Sequence, residues 1–246
     1  MSKAKEQWEI LGRTDPYFAV ATFDKFKANN LDEKLKGEFF ASGAEHIEFV
    51  ARNFERHFGR EFRPDRALDF GCGVGRLVIP LAERSERVTG VDISEHMLAE
   101  ARKNCESRRI ANVDLVQTEE FLTSDSYFDF VHSFVVFQHI EPRVGLRLVS
   151  NVLQRLKPGG IGALHFTYAT PNGGKQALTF RLYREFPLTY KLRGIIKRDA
   201  EPWIPIYLYN LNEVMMELQL NNCEDISLNF TNHGLLGVFI FFRKIA

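Results

Sequence analysis

Along the chain, short apolar runs alternate with stretches in which apolar residues return every three or four positions. ALDF, RVTGVD, VDLVQ, FDFVHSF and IGALHFTY read as five successive strands. Ahead of them, Ile47, Val50 and Phe54 recur at helical spacing through AEHIEFVARNFERHF, and the loop GREFRPDR delivers the first strand. SEHMLAEARKNC, with Ser94 placed to cap its start, predicts a helix between the second and third strands. Val144, Leu148, Val152 and Leu156 mark another between the fourth and fifth, stopped by Pro158 and Gly159. A last helix through NEVMMELQL leads to EDISLNF and LLGVFIFF, which the turn-prone TNHG divides into a closing antiparallel hairpin. Strands alternating with helices predict an α/β fold. It is a doubly wound, Rossmann-like sheet of seven mostly parallel strands with a terminal antiparallel hairpin.

Two segments depart from this rhythm. Residues 1–43 mix aromatic and charged residues around a turn signal at Asp15 and Pro16, which predicts an irregular or helical cover. Residues 169–208 carry four prolines, aromatics such as Tyr183, Tyr190 and Trp203, and cations including Arg181 and Arg184. They are expected to form a helical lid insertion over the open edge of the sheet. A length of 246 residues suits one domain spanning 1–246, with these segments as its additions.

Composition narrows the function. Lys plus Arg number 32 and Asp plus Glu 32, so no global positive field collects a polyanion such as DNA. The apolar stretch at 235–242 is too short to span a bilayer as a helix, and MSKAKEQWEI is followed by no apolar leader run. Three cysteines without C-x-x-C spacing fit a reducing compartment and exclude a disulfide framework or thiolate zinc cluster. A cytoplasmic protein without a membrane span is expected; oligomeric state is not encoded.

The junction ALDFGCGVGRLVIPLA places Gly71, Gly73 and Gly75 where a chain turns from a strand into a helix, so that backbone N–H groups are expected to face a ligand unobstructed by a Cβ. A dinucleotide fingerprint would want its third glycine at position 76, where Arg76 stands, so a pyrophosphate is the poorer guest. The second strand ends in Asp92, an acceptor-only carboxylate suited to two ribose hydroxyls, and Ile93 offers an apolar wall to an adenine.

At these residues the sequence resembles class I S-adenosylmethionine-dependent methyltransferases of the small-molecule type, over roughly residues 66–168. LDFGCGVGR looks like that family's first motif, VDIS its ribose-binding acidic motif, FDFVHSFVVFQHIEP its fourth-strand motif, and LKPGG the turn before its fifth strand. The resemblance implies S-adenosylmethionine as cofactor, with Gly71, Gly73 and Gly75 against its methionine part and Asp92 on its ribose. It also implies Thr118 and Glu119 near the adenine, and Ser133 and Phe134 bordering the sulfonium and the acceptor. The expected reaction moves a methyl group to an O or N atom of a small or medium-sized acceptor, anionic or sugar-like.

Such a transfer needs alignment and exclusion of water more than a covalent nucleophile, and a hydroxyl acceptor benefits from a general base. His139, in VVFQHIEP after the fourth strand, is the candidate base. Asp69 reads as structural or water-linked, His165 as a core residue of the fifth strand or one that supports the site from behind, and Cys72 as packing. No carboxylate pair beside the fourth strand suggests magnesium, so no metal is expected. DPYF at 15–18 looks like the D-P-P-Y motif of amino-methylating DNA enzymes but lacks the second proline and closes no strand, so DNA is not the expected acceptor. Two alternatives share the glycine loop and Asp92: a nicotinamide-dependent oxidoreductase, and a binding module that keeps the cofactor without turnover.

Overall fold

A computed structural model describes residues 3–171 and 204–246. Seven strands form one sheet: β1 (Arg66–Phe70), β2 (Arg87–Asp92), β3 (Val113–Gln117), β4 (Phe128–Ser133), β5 (Leu156–Ala169), β6 (Cys223–Asn232) and β7 (Leu236–Lys244). Their order is β3-β2-β1-β4-β5-β7-β6. The first five are parallel, whereas β7 runs antiparallel to both β5 and β6. The strand order reverses between β1, paired with β2, and β4, and ligands of open α/β sheets bind at the carboxyl ends beside such a switch.

Eight α-helices among the described residues cover the sheet: α1 (Lys3–Thr14), α2 (Pro16–Ala21), α3 (Glu33–Phe58), α4 (Val78–Ala82), α5 (Glu95–Ser107), α6 (Thr118–Thr123), α7 (Pro142–Gln154) and α8 (Leu211–Leu220). One apolar cluster joins α3, α4 and α5 to Phe130, Ile161, Phe239 and Phe241 on one sheet face. A second joins α7 and α8 to Leu68, Val131, Leu164 and Ile240 on the other. The alternation along each strand thus buries both faces, as a doubly wound sheet requires.

The sequence periodicity located only the second half of α3, because the helix starts at Glu33 and the expected boundary at residue 43 falls inside it. Asp32 Oδ1 accepts from Leu35 N at 2.7 Å, and Gly59 closes the helix at φ 67°. Ser94 caps α5, accepting from Met97 N at 3.2 Å. Leu156 belongs to β5 rather than to the preceding helix: it pairs with Phe128, and the register slips before Ile161 meets Phe130. Lys157–Gly160 are therefore absorbed as an irregularity within the strand pair, and the apolar Leu156 fits either periodicity. Most of the lid insertion expected at 169–208 lies outside the described residues. No helix among the described residues is long and apolar enough to cross a membrane.

Candidate functional site

A cavity of about 840 Å³ opens at the carboxyl ends of the central strands. Its floor holds Gly71, Cys72 and Gly73 after β1, Asp92 and Ile93 at the end of β2, and Thr118 after β3. Phe134, Val135 and Val136 continue the wall after β4; His165 and Thr167 of β5 and His233 of the β6–β7 turn close its far end. α1 and α2 roof it with Trp8, Ala19 and Val20.

The glycine loop works differently from the expectation that its N–H groups face a ligand. Gly71 N and Cys72 N both donate to Val91 O, at 2.7 and 2.9 Å, and Gly73 N donates to Asp92 Oδ2 at 2.9 Å. The loop thus spends its donors on the end of β2, fixing the carboxylate that Ser94 N also holds at 2.9 Å. The missing side chains are used by neighbours. A Cβ on Gly71 would meet the Val136 side chain, and one on Gly73 would lie 2.7 Å from Val20 Cγ2. Both glycines have positive φ, 81° and 53°. Gly75 (φ 85°) packs against Ala101 of α5 and is not part of the cavity wall. Burial pushes the Asp92 carboxyl up to about 6, against the pull of the N–H groups of Ser94, Gly73 and Ile93.

The amino-terminal cover is pinned beside this carboxylate. Glu9 of α1 accepts from Ser94 Oγ and Glu95 N, each at 2.9 Å, and pairs with His96 Nδ1 at 2.7 Å. Its charge meets the positive end of α5. Although burial works against that charge, these hydrogen bonds hold the Glu9 carboxyl down at about 2. Tyr17 of α2 adds a second clamp to α5, through Glu100 at 2.8 Å and Asn104 at 3.0 Å.

After β4 the backbone is strained. Val135 has φ 60°, a conformation costing about 1–3 kcal/mol in a β-branched residue, and it stands in the cavity wall. His139 follows, its Nδ1 2.9 Å from Pro205 O, which makes that nitrogen the N–H donor. The lone pair is then on Nε2, 3.1 Å from the Gln138 amide nitrogen, which donates to it. Gln138 Oε1 accepts from Thr167 Oγ1 at 2.7 Å. Burial lowers the His139 pKa to about 4, so the ring is neutral at physiological pH. His165, two residues before Thr167, bonds Thr231 Oγ1 at 2.7 Å.

A family model described as a methyltransferase domain matches residues 67–160, the stretch from β1 into β5 that carries the glycine loop, Asp92 and His139. Residues 67–160 carry a methyltransferase domain, which the sequence motifs liken to class I S-adenosylmethionine-dependent methyltransferases. Over 121 residues the chain is 37% identical to a ubiquinone biosynthesis O-methyltransferase of Paramagnetospirillum magneticum, covering 47% of this chain and 48% of that one. A Rickettsia akari protein of the same name is 25% identical over 188 residues, 76% of this chain and 67% of that one. The chain spans about half the length of the first of these relatives. The fold is like that of magnesium protoporphyrin IX methyltransferase from Synechocystis PCC 6803, solved with bound S-adenosylmethionine. That likeness has a TM-score of 0.60 at 18% identity and covers 99% of this chain and 98% of that one. S-adenosylmethionine is the cofactor of this class.

The residues present fit that cofactor. Asp92 keeps lone pairs beyond its two backbone bonds, two glycines leave the floor without side chains, and Ile93 and Thr118 line the cavity next to Asp92. Of the residues singled out from sequence, Gly71, Gly73, Asp92, Ile93, Thr118, Phe134 and His139 share the cavity. Glu119 lies outside it, paired with Lys5 at 2.8 Å on the exposed side of α6. Ser133 is buried and donates to Phe70 O at 2.8 Å, tying the ends of β1 and β4. Sequence reasoning missed Trp8, Glu9, Val20, Gln138 and His233, which fall in three separate stretches of the chain with no shared spacing to mark them. Asp69 is structural in an unforeseen way: Oδ1 lies 2.8 Å from His132 Nδ1, whose Nε2 meets His46 Nε2 at 3.1 Å.

Proposed function

We propose that the protein transfers a methyl group from S-adenosylmethionine to the oxygen of a small acceptor. One observation carries the reading: a single cavity runs from Asp92 past Phe134 to a polar end at Thr167, His165 and His233, with room for a cofactor and a second molecule side by side. Transfer to oxygen rather than nitrogen is supported by the O-methyltransferase relatives and by a neutral histidine beside that polar end. An anionic or sugar-like acceptor is the finer reading, and the cationic segment at 169–208 would contribute to it from outside the described residues.

When bound, the cofactor supplies an electrophilic methyl group on a sulfonium. Asp92 would accept hydrogen bonds from both ribose hydroxyls, Gly71 and Gly73 would border the methionine part, and Ile93 and Thr118 would flank the adenine. Phe134, Val135 and Val136 shape the wall where the two molecules meet, and α1 and α2 exclude water from above. His139 takes the acceptor's proton on Nε2: the Pro205 carbonyl fixes the tautomer, and the acceptor hydroxyl replaces the Gln138 amide as donor. A metabolite screen that follows S-adenosylhomocysteine formation tests the reading. Cofactor binding without turnover on any hydroxylated acceptor would favour a non-catalytic module instead.

A further inference from the structure

Arg76 follows the glycine loop and is locked in place by α3, where a Cβ on Gly43 would collide with the Arg76 carbonyl. Its guanidinium lies 5.9 Å from the centroid of Phe39 and 6.0 Å from that of Phe134, and its Nη1 reaches Ser42 Oγ at 3.4 Å. The Nε is shut off from solvent without a partner. Among the described residues no carboxylate oxygen comes within ion-pairing distance; Asp69, its electrostatic support, gives Oδ1 to His132 and keeps a buried Oδ2 without a hydrogen-bond partner. A buried cation in this state is costly, because Asp69 repays only part of the desolvation and burial still prevails over it.

Arg76 lines the same cavity as His165 and His233. The rings of His165 and His233 lie 6.0 Å apart, both edge-on to Phe134 at 5.1 and 5.5 Å. His165 Nε2 is engaged by Thr231, and its buried Nδ1 has no partner. Burial lowers both pKa values, and the charge of Arg76 adds to the effect on His233, so the two rings are neutral hydrogen-bonding groups around one fixed positive charge. The acids of the cavity wall stand elsewhere. Asp92 is at β2, three strand spacings or roughly 14 Å from β5, and Glu141 caps α7 through Val144 N at 3.2 Å.

We propose that Arg76, with His233 and His165, forms a subsite for a carboxylate carried by the methyl acceptor. The planar guanidinium matches a carboxylate in a way a lysine would not, and Phe134 in the same cavity wall adds apolar contact for the body that carries it. Assigning the carboxylate to the acceptor rests on the methyltransferase reading above; the demand for an anion does not.

The test compares benzoate with benzamide, its neutral counterpart of the same shape, by calorimetry on the full chain with and without saturating S-adenosylhomocysteine. Benzoate should bind at least tenfold more tightly than benzamide, and Arg76→Gln should reduce the difference to less than threefold while S-adenosylhomocysteine affinity stays within threefold. Equal binding of the two probes by the unaltered protein overturns the proposal without any variant. So does a preference that survives in Arg76→Gln. If Arg76→Gln weakens S-adenosylhomocysteine tenfold but leaves 5′-methylthioadenosine, which lacks the carboxylate, unaffected, the cation serves the cofactor and the acceptor assignment falls. Failure of the unaltered protein to bind S-adenosylhomocysteine would strike the methyltransferase reading alone, and the benzoate comparison would still decide the anion subsite.

Discussion

The ribose contact proposed for Asp92 predicts that cofactor affinity depends on pH. The Asp92 carboxyl is pushed from 3.8 to about 6, burial outweighing the N–H groups of Ser94, Gly73 and Ile93 that favour the charge. Only the ionised form accepts from both ribose hydroxyls without an O–H of its own in the way. The ligand-free protein binds a proton there below about pH 6, and a complex that needs the carboxylate must first release it. Affinity for S-adenosylhomocysteine should therefore be full above pH 7 and fall as pH drops through 6. One unit below the midpoint about a tenth of the carboxyl is ionised, so binding weakens about tenfold, or about 1.4 kcal/mol. Stability runs the other way: a carboxyl whose folded pKa is raised favours the folded state at low pH, and that contribution is lost as pH rises from about 4 through 6. The assay is titration calorimetry from pH 5 to 8 in buffers of different ionisation enthalpy, which also counts the protons released. His139 and His165, held at about 4 and 3, lie below this window. Asp92→Asn should flatten the profile and weaken binding tenfold or more at pH 8, since each hydrogen bond to a charged acceptor contributes about 1.5–3 kcal/mol. Equal affinity of the unaltered protein at pH 5 and pH 8, or full affinity in Asp92→Asn, would refute the ribose assignment.

Glu9→Gln removes the charge that joins α1 to α5 and is expected to cost about 1–3 kcal/mol, lowering Tm by several degrees and weakening S-adenosylhomocysteine as the roof loosens; an unchanged Tm would show that the clamp is idle. Gly73→Val should abolish cofactor binding with the circular-dichroism spectrum retained, through positive φ and collision with Val20. If the Val20 collision is the cause, Gly73→Ala with Val20→Ala should bind better than Gly73→Ala alone. His139→Gln should lower kcat by about 10² to 10⁴-fold with S-adenosylhomocysteine affinity unchanged, and a variant within threefold of the parent rate would remove the base assignment.

The inner parallel strands and β7 were legible because a strand buried on both faces reads as an apolar-rich run, whereas β6, mostly exposed at the sheet edge, was legible from the turn TNHG between it and β7. The residues proposed to hold the cofactor were legible for a related reason. Gly71, Gly73 and Asp92 sit where strands end, and a strand end is a local feature of sequence. The acceptor side had no such mark. His165 looks like any core residue of β5, His233 like a turn residue and Arg76 like a displaced glycine of the loop. Only the pairing of β5 with β7 and the approach of α3 bring the three to one cavity.

The amino-terminal cover divides the same way. Its mixture of aromatic and charged residues showed that it packs on something, but Glu9 and Ser94 are 85 positions apart and no periodicity links them. Local sequence determined which segments become strands, helices and turns, because backbone geometry repeats at periods of two and 3.6 residues. The tertiary structure alone decided which polar groups meet. Those contacts join positions distant in sequence and depend on strand order and helix placement, and here they convert a strand end into a roofed, two-part cavity.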